Sequence, residues 1–338
     1  MVTHVLRVSR VIEETSDTRS FEFEVPAALS EEFRYQPGQF LTVAATLDGR
    51  THLRCYSLSS APEIDPRPII TVKRVGGGRV SNWLNDNVRP GDELVVFRSA
   101  GRFRLREPAC PIACFAGGSG ITPILSLLKS ALVSTAAPIR LFYANRDASS
   151  IIFRATLDRL QSEYPGRLAV HYHLDAEQGV VSTHSIEAFL AGFGNLRHYI
   201  CGPQPFMDLV EAVLRRANVS ADRILVERFV SPDDPAFQSS VAAIDTTTGP
   251  RVLVVVIGGA RHTVLCEPGE TILAAVRRIG CAPPAFCEQG ACGACLAKVV
   301  SGSAKMRHNQ LLTDDEIEEG LVLTCQAEPT SGQVEVAY

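Results

Sequence analysis

Pro111-Ile112-Ala113-Cys114-Phe115-Ala116-Gly117-Gly118-Ser119-Gly120-Ile121-Thr122-Pro123-Ile124-Leu125 is the stretch on which the fold turns. It lies in a run, Pro108 to Leu128, that holds no charged residue and is long enough for a membrane helix. Pro111 and Pro123 fall inside that run, and Gly117 to Gly120 breaks it in the middle, which argues against a span. The parse that satisfies every residue is a buried strand (Ile112–Ala116), a glycine turn, and a helix from about Pro123 to Val133. The turn is not a G-x-G-x-x-G fingerprint, because Pro123 stands in the third glycine position. Nor is it a G-x-S-x-G elbow, because Ile121 stands where glycine is needed.

On the C-terminal side of this stretch, strands alternate with helices. Strands are expected at Ile139–Ala144, Leu168–Leu174, His198–Cys201 and Ile224–Glu227, and helices at Ile124–Val133, Ile151–Gln161 and Pro205–Ala217. Such alternation predicts a parallel sheet with helices on both faces. On the N-terminal side the pattern is β, with Val5–Val11, Ser20–Val25, Phe40–Ala45, Ile69–Val75 and Glu93–Phe97 separated by Pro and Gly. One short helix, Ser81–Asp86, interrupts it, with Ser81 as its cap. A small antiparallel barrel is expected there. Ser231 to Pro250 reads as an exposed linker. Strands Arg251–Val256 and His262–Cys266, a helix Thr271–Arg278 and a cysteine loop then form an α+β module. The expected division is 1–107, 108–230, a linker 231–249, and 250–338.

The 338 residues are 46% hydrophobic and 21% charged, ordinary material for two or three globular domains. With 33 basic and 37 acidic side chains the net charge of −4 leaves no electrostatic footprint for nucleic acid or an anionic membrane. Met1-Val2-Thr3-His4-Val5-Leu6-Arg7 is not a basic-then-apolar leader, so a cytoplasmic location is expected, and a monomer. In that compartment the 10 cysteines should be thiols or metal ligands rather than disulfides.

Cys287, Cys292 and Cys295 follow C-x4-C-x2-C, with Cys325 further on, the spacing that holds a [2Fe–2S] cluster on four thiolates. Gly290, Ala291, Gly293 and Ala294 let the backbone curl around the cluster and aim amides at its sulfurs. Zinc would call for a second C-x2-C pair, and there is none. Cys55, Cys110, Cys114, Cys266 and Cys281 read as packing residues. Cys201 differs, because Cys201-Gly202-Pro203 ends a strand where ligands collect.

These motifs carry a resemblance. Residues 250–338, with Cys287–Cys295 and Leu323-Thr324-Cys325-Gln326, are similar to plant-type ferredoxin domains of β-grasp fold. Glu288 departs from the basic residue that many of them place after the first ligand. Arg54-Cys55-Tyr56-Ser57, after a strand, and Gly76-Gly77-Gly78-Arg79-Val80-Ser81-Asn82 resemble the FAD domain of the ferredoxin–NADP reductase superfamily. A forked guanidinium suits a pyrophosphate and a phenol ring suits an isoalloxazine. The resemblance implies that Arg54, Tyr56 and Ser57 bind FAD, Val72 and Lys73 meet its ribityl side through backbone, and Val80 and Ser81 its pyrophosphate. A helix start is apt for phosphate.

Gly117-Gly118-Ser119-Gly120-Ile121-Thr122-Pro123 resembles the pyridine-nucleotide loop of the same superfamily. That implies contact of Gly117, Gly118, Gly120 and Pro123 with the nucleotide, Thr122 near flavin and nicotinamide, and Cys201, Gly202 and Pro203 beside the nicotinamide. There Cys201 would align hydride transfer, a positioning effect. Glu227-Arg228-Phe229 closes the domain as in members with a trailing ferredoxin, with Phe229 shielding the flavin. Asn145 and Arg146 fall where the adenosine ribose should sit; Arg146 attracts a 2′-phosphate and Asp147 repels one, and NADH is expected over NADPH.

Barrel, nucleotide domain and ferredoxin, in that order, are the arrangement of oxygenase reductases. The resemblance implies electron flow from NAD(P)H through FAD and the cluster to the metal centre of a separate terminal oxygenase. The 8 histidines are scattered, and no Cys-x-His pair suggests that this chain is the oxygenase. His171 and His173 on one strand face read as structural. Leu53–Leu58, Ser81–Leu84 and Tyr143–Asp147 are most similar to 3-ketosteroid 9α-hydroxylase reductases, which implies a Rieske non-haem-iron partner. Reductases of phenylacetyl-CoA epoxidase, serving a di-iron centre, share the motifs. A redox-sensing or electron-carrying binding protein is the remaining alternative, and the intact Arg54, Tyr56, Ser57, Cys201 and cluster ligands argue against it. The acidic run from Asp314 to Glu319 reads as a solvated helix face.

Overall fold

Six strands form the N-terminal sheet: β1 (Thr3–Thr15), β2 (Thr18–Glu24), β3 (Phe40–Leu47), β4 (Arg50–Ser57), β5 (Ile69–Lys73) and β6 (Glu93–Phe97). A computed structural model describes residues 3–106, 110–191, 196–229, 249–285, 288–290, 293–312 and 314–338. The strand order is β4-β3-β6-β1-β2-β5, and a bridge from Leu58, just past β4, to Ile70 on β5 joins its two edges into a barrel. Leu6, Val8, Phe21 and Phe23 alternate along β1 and β2 as a two-residue period requires, and all are fully buried. Arg54–Ser57 follow β3, as expected, and themselves form the end of β4. Helix α1 spans Arg79–Asn87, two residues earlier than expected, with Gly78 at its N-cap. Ser81 is therefore not the cap. It sits in the first turn, and its hydroxyl accepts from the Val75 amide at 3.2 Å.

The next sheet is parallel: β7 (Ile112–Gly117), β8 (Ile139–Asn145), β9 (Leu168–Leu174), β10 (Arg197–Cys201) and β11 (Ile224–Glu227), in the order β11-β10-β7-β8-β9. Helices α2 (Ile121–Ser134), α3 (Arg154–Glu163), α4 (Asp175–Gln178), α5 (Thr183–Leu190) and α6 (Gln204–Arg216) connect them. Cys114 and Ala116 face a core shared with α2 and α3, while Ala113 and Phe115 face one shared with α5 and α6. The order reverses between β7 and β10, so the crevice at their carboxyl ends is the topological switch point where such sheets bind ligands.

Helix α2 accounts for the uncharged run. Every residue from Ile121 to Leu132 is buried, so the helix is apolar nearly all round because it is enclosed by protein. No helix among the described residues is long and apolar enough to cross a membrane.

The C-terminal sheet runs β13-β12-β18-β14-β16, from β12 (Arg251–Ile257), β13 (Ala260–Cys266), β14 (Leu296–Ser301), β16 (Leu321–Leu323) and β18 (Gln333–Ala337). Strands β15 (Ala304–Met306) and β17 (Ala327–Pro329) pair separately. Helix α7 (Ile272–Arg278) is capped by Thr271, whose hydroxyl accepts from the Ala274 amide, and it packs Ile272, Ala275 and Val276 onto the sheet. Strands β12 and β18 are parallel, the mixed pairing of a β-grasp module. Helix α8 (Asp314–Glu318) carries the acidic run. Two units result: Val2–Ala45 with Tyr56–Phe229, and the described residues of Val230–Tyr338 with Thr46–Cys55. The expected linker falls almost wholly outside the described residues.

Candidate functional site

At the switch point two loops meet backbone to backbone. Strand β7 ends at Gly117, Gly118–Gly120 make one 3-10 turn, and α2 begins at Ile121. Gly118 has φ +51°. A Cβ on Gly120 would stand 2.1 Å from the Cys201 carbonyl oxygen, and one on Gly117 would stand 2.7 Å from Cδ of Pro203. No side chain fits either place, so glycine here is a condition of the close approach. Thr122 donates its hydroxyl to Ser119 O at 3.0 Å, and the Tyr143 hydroxyl donates to Gly118 O at 3.1 Å.

Cys201 is fully buried and lies in register with Ala116 on one side and Glu227 on the other. Burial, with Glu227 beside it, pushes the thiol well above its ordinary pKa. Burial also pushes the Glu227 carboxyl up to about 8, so it holds its proton at neutral pH. Phe229 follows, exposed, while Arg228 pairs with Asp208 at 3.1 Å and with Glu211.

At the end of β8, Asn145 is 5% exposed, and neither its amide nitrogen nor its oxygen makes a hydrogen bond of good geometry, although it lies beside Tyr143. A buried amide in that condition fits a missing polar ligand. Asp147, expected from the sequence to repel a 2′-phosphate, also has a structural role. It caps the Ala148–Ser150 turn, accepting from the Ser150 amide at 3.0 Å and the Ser149 hydroxyl at 2.6 Å. Those bonds hold it below the usual carboxylate range. Arg146 reaches Asp17 at 3.9 Å, and Lys73 reaches the same carboxylate at 3.7 Å.

On β4, Arg54 and Tyr56 share one face by alternation, and Ser57 is buried. No side chain caps the first turn of α1, so Arg79, Val80 and Ser81 form an uncapped helix start of the kind that suits a phosphate. Asn85 was missed in the sequence. Its buried amide donates to Val72 O at 3.1 Å and Ser81 O at 2.8 Å, fixing α1 to β5. The Val72 carbonyl is thus already accepting one bond.

Cys295 and Cys325 are buried together against Leu273, Leu312 and Leu323, and Cys287, Cys292 and Ala291 lie outside the described residues. Gly290 and Gly293 have φ of +74° and +70°, and Glu288 has +55°, so the loop curls through left-handed backbone. A Cβ on Gly290 would stand 2.6 Å from His308 O. Thr324 donates from its amide (3.1 Å) and hydroxyl (2.9 Å) to Cys295 O, and the Tyr338 hydroxyl donates to Thr324 at 2.7 Å. Glu288 meets Arg277 at 2.7 Å. Two buried thiols in this stitched, glycine-bent loop fit an iron–sulfur cluster. No disulfide joins the described cysteines. His171 and His173 stack on Phe142 at 5.2 and 5.6 Å, and His173 meets Gly179 O.

Residues 5–105 match the oxidoreductase FAD-binding domain family, 115–212 the oxidoreductase NAD-binding domain family, and 255–330 the 2Fe-2S iron-sulfur cluster binding domain family. The chain is 39% identical to the 3-ketosteroid-9-alpha-monooxygenase ferredoxin reductase component of Mycolicibacterium smegmatis, over 99% of this chain and 98% of that protein. It is 33% identical to one of the subunits of the Escherichia coli 1,2-phenylacetyl-CoA epoxidase, over 99% and 97%. Phthalate dioxygenase reductase, a solved structure for electron transfer from pyridine nucleotides to [2Fe-2S], superposes with TM-score 0.62 at 25% identity, covering 99% and 98%. The chain therefore belongs to the oxygenase reductase components, flavin and iron–sulfur oxidoreductases that pass electrons from NAD(P)H through FAD to a [2Fe–2S] cluster.

Proposed function

We propose that this chain serves a terminal Rieske non-haem-iron oxygenase of the steroid 9α-hydroxylating kind, as a cytoplasmic monomer that prefers NADH. The observation that carries the reading is the contact of Gly120 with the Cys201 carbonyl, with Glu227 paired to Cys201. It puts a buried thiol and a protonated carboxyl at the switch point. Identity of 39% to a steroid-monooxygenase reductase, against 33% to an epoxidase component, supports the Rieske partner.

When bound, FAD takes two electrons from NADH and releases them singly to the cluster. The protein supplies position and electrostatics. Arg54 and the start of α1, with Val80 and Ser81, hold the pyrophosphate of FAD. Tyr56, Ser57 and the Val72–Lys73 backbone hold its ring and ribityl chain. Gly117, Gly118, Gly120, Thr122, Pro123, Gly202 and Pro203 bring backbone against the dinucleotide, with Asn145 and Arg146 at its ribose. Cys201 stays a neutral thiol and excludes water. Glu227 keeps a proton at its carboxyl, so no buried negative charge faces the nicotinamide, and Phe229 covers the flavin. Cys287, Cys292, Cys295 and Cys325 hold the cluster. Asp17 offsets the charge of Arg146, which favours NADH. The limits 1–107, 108–230, 231–249 and 250–338 are the proposed domains.

The test is anaerobic transfer from NADH through this protein to purified oxygenases. Rapid reduction of a steroid-class Rieske oxygenase is expected. Reduction of a di-iron epoxidase component alone would replace this partner with the alternative.

A further inference from the structure

Lys129 is the first charged residue after the uncharged run, it lies in the enclosed helix α2, and it is 9% exposed. No cofactor role accounts for it. Its ammonium donates to Asp65, at 2.9 Å to Oδ2 and 3.3 Å to Oδ1. Asp65 is itself fixed, because Oδ2 accepts from the Ala61 amide at 2.7 Å. One turn earlier the Ser126 hydroxyl donates to Ser60 O at 2.6 Å, and beside Lys129 the Ser130 hydroxyl donates to Glu63. Ser126, Lys129 and Ser130 are spaced i, i+3 and i+4, one face of the helix. The acceptors of these three side chains all lie between Ser60 and Asp65, in the segment that follows Ser57, and the Ser126 hydroxyl in turn accepts from the Gly38 amide at 3.3 Å. Tyr35 and the Ile69 amide anchor that segment from the barrel side, each donating to the Ser60 hydroxyl at 2.7 and 2.9 Å.

The two segments so joined begin at the two halves of the reaction. The Ser60–Asp65 loop leaves the strand that carries Tyr56 and Ser57, and α2 leaves the glycine turn and carries Thr122 in its own first turn. Lys129 stands about 10 Å along the helix from Thr122, at ~1.5 Å per residue. A rigid helix transmits a displacement at Lys129 to the turn. A misplacement of about 1 Å between reacting groups can lower a rate about a hundredfold.

We propose that Ser126, Lys129 and Ser130 form a polar lock that sets the spacing between the flavin strand and the dinucleotide turn. They are positioning residues for the transfer from nicotinamide C4, whose C–H bond breaks, to flavin N5, where the new N–H bond forms as NADH is oxidised. The lock rests on the placement of FAD at Tyr56–Ser57 and of NADH at Gly117–Pro123.

The test compares wild type with Lys129→Met, Ser126→Ala and the paired replacement Lys129→Met with Asp65→Leu, all loaded with FAD. The readouts are thermal unfolding, the long-wavelength charge-transfer absorbance when NAD+ is added to reduced protein, and flavin reduction by NADH. Lys129→Met should cut the charge-transfer absorbance severalfold. It should also cut the limiting reduction rate at least tenfold, with little change in half-saturating NADH. The paired apolar replacement should restore thermal stability without restoring either signal, and Lys129→Arg should recover part of both. Should Lys129→Met not fold, the paired replacement and Ser126→Ala read the same signals. Wild-type absorbance and rate in a folded Lys129 variant, or full rescue of both by the paired replacement, would overturn the lock. Wild-type protein that binds FAD but is not reduced by NADH would instead overturn the placement on which it rests.

Discussion

The glycine turn at the end of β7 and the cysteine loop before β14 both bend the backbone through glycines, but they depend on different things. In the cysteine loop, left-handed Gly290 and Gly293 serve the local curl, Gly290 also leaving room for the nearby His308 carbonyl, and Thr324 ties the segment holding Cys325 back to Cys295. In the glycine turn, Gly117 and Gly120 serve a neighbour more than 80 residues away, because the space they leave is filled by Cys201, Gly202 and Pro203. A cluster carries its geometry with it and asks the chain for four thiolates in sequence order. A dinucleotide crevice has to be assembled from separate strands.

Changes in the cysteine loop should break transfer beyond the flavin and leave flavin chemistry intact. Cys295→Ser is expected to lower reduction of a one-electron protein acceptor about a hundredfold or more while sparing ferricyanide reduction, measured with NADH as donor. Equal loss of both would merge the two regions functionally. Changes in the glycine turn should do the reverse. Gly120→Ala forces apart a contact that no methyl group fits, and flavin reduction by NADH should fall about a hundredfold, with cluster absorbance unchanged in the same spectrum.

Glu227 separates the regions by pH. Its folded pKa of about 8 lies above the ordinary 4.5, so the folded protein keeps a proton that the unfolded chain gives up. Its contribution to stability is present at low pH and is lost as pH rises through about 8. Thermal melts of flavin-free protein should fall across that window, and Glu227→Gln should flatten the fall. Tyr338→Phe removes one hydrogen bond to Thr324, worth about 1 kcal/mol. It should lower the melting temperature slightly without changing flavin reduction. Smallest of all, Asp17→Asn should raise NADPH use relative to NADH severalfold, read from the ratio of kcat/KM values.

The same contrast explains what was legible in the sequence. Cysteine spacing pointed to an iron–sulfur domain, which the match of residues 255–330 to the 2Fe-2S family bears out, and periodicity placed β6, β9 and β11 with their observed ends. Ser81 looked like a helix cap because cap preference is local, whereas its real partner is the Val75 amide of the preceding loop. Asp147 also works as a cap, and nothing in the sequence declares that Ser149 and Ser150 will engage it. Asn85 and Lys129 gave no signal at all, since their partners Val72 and Asp65 are brought to them only by tertiary packing. Helix α5 lies outside the expected helices, although Ser182 and Ser185 form a reciprocal cap at its start.

Anaerobic rapid mixing of the loaded protein with NADH tests the central claim most directly, by following flavin and cluster absorbance separately. Bleaching of the flavin first and of the cluster second is predicted, with Gly120→Ala delaying both and Cys295→Ser removing only the second. Reduction of the cluster at an undiminished rate when the flavin step is blocked would contradict it.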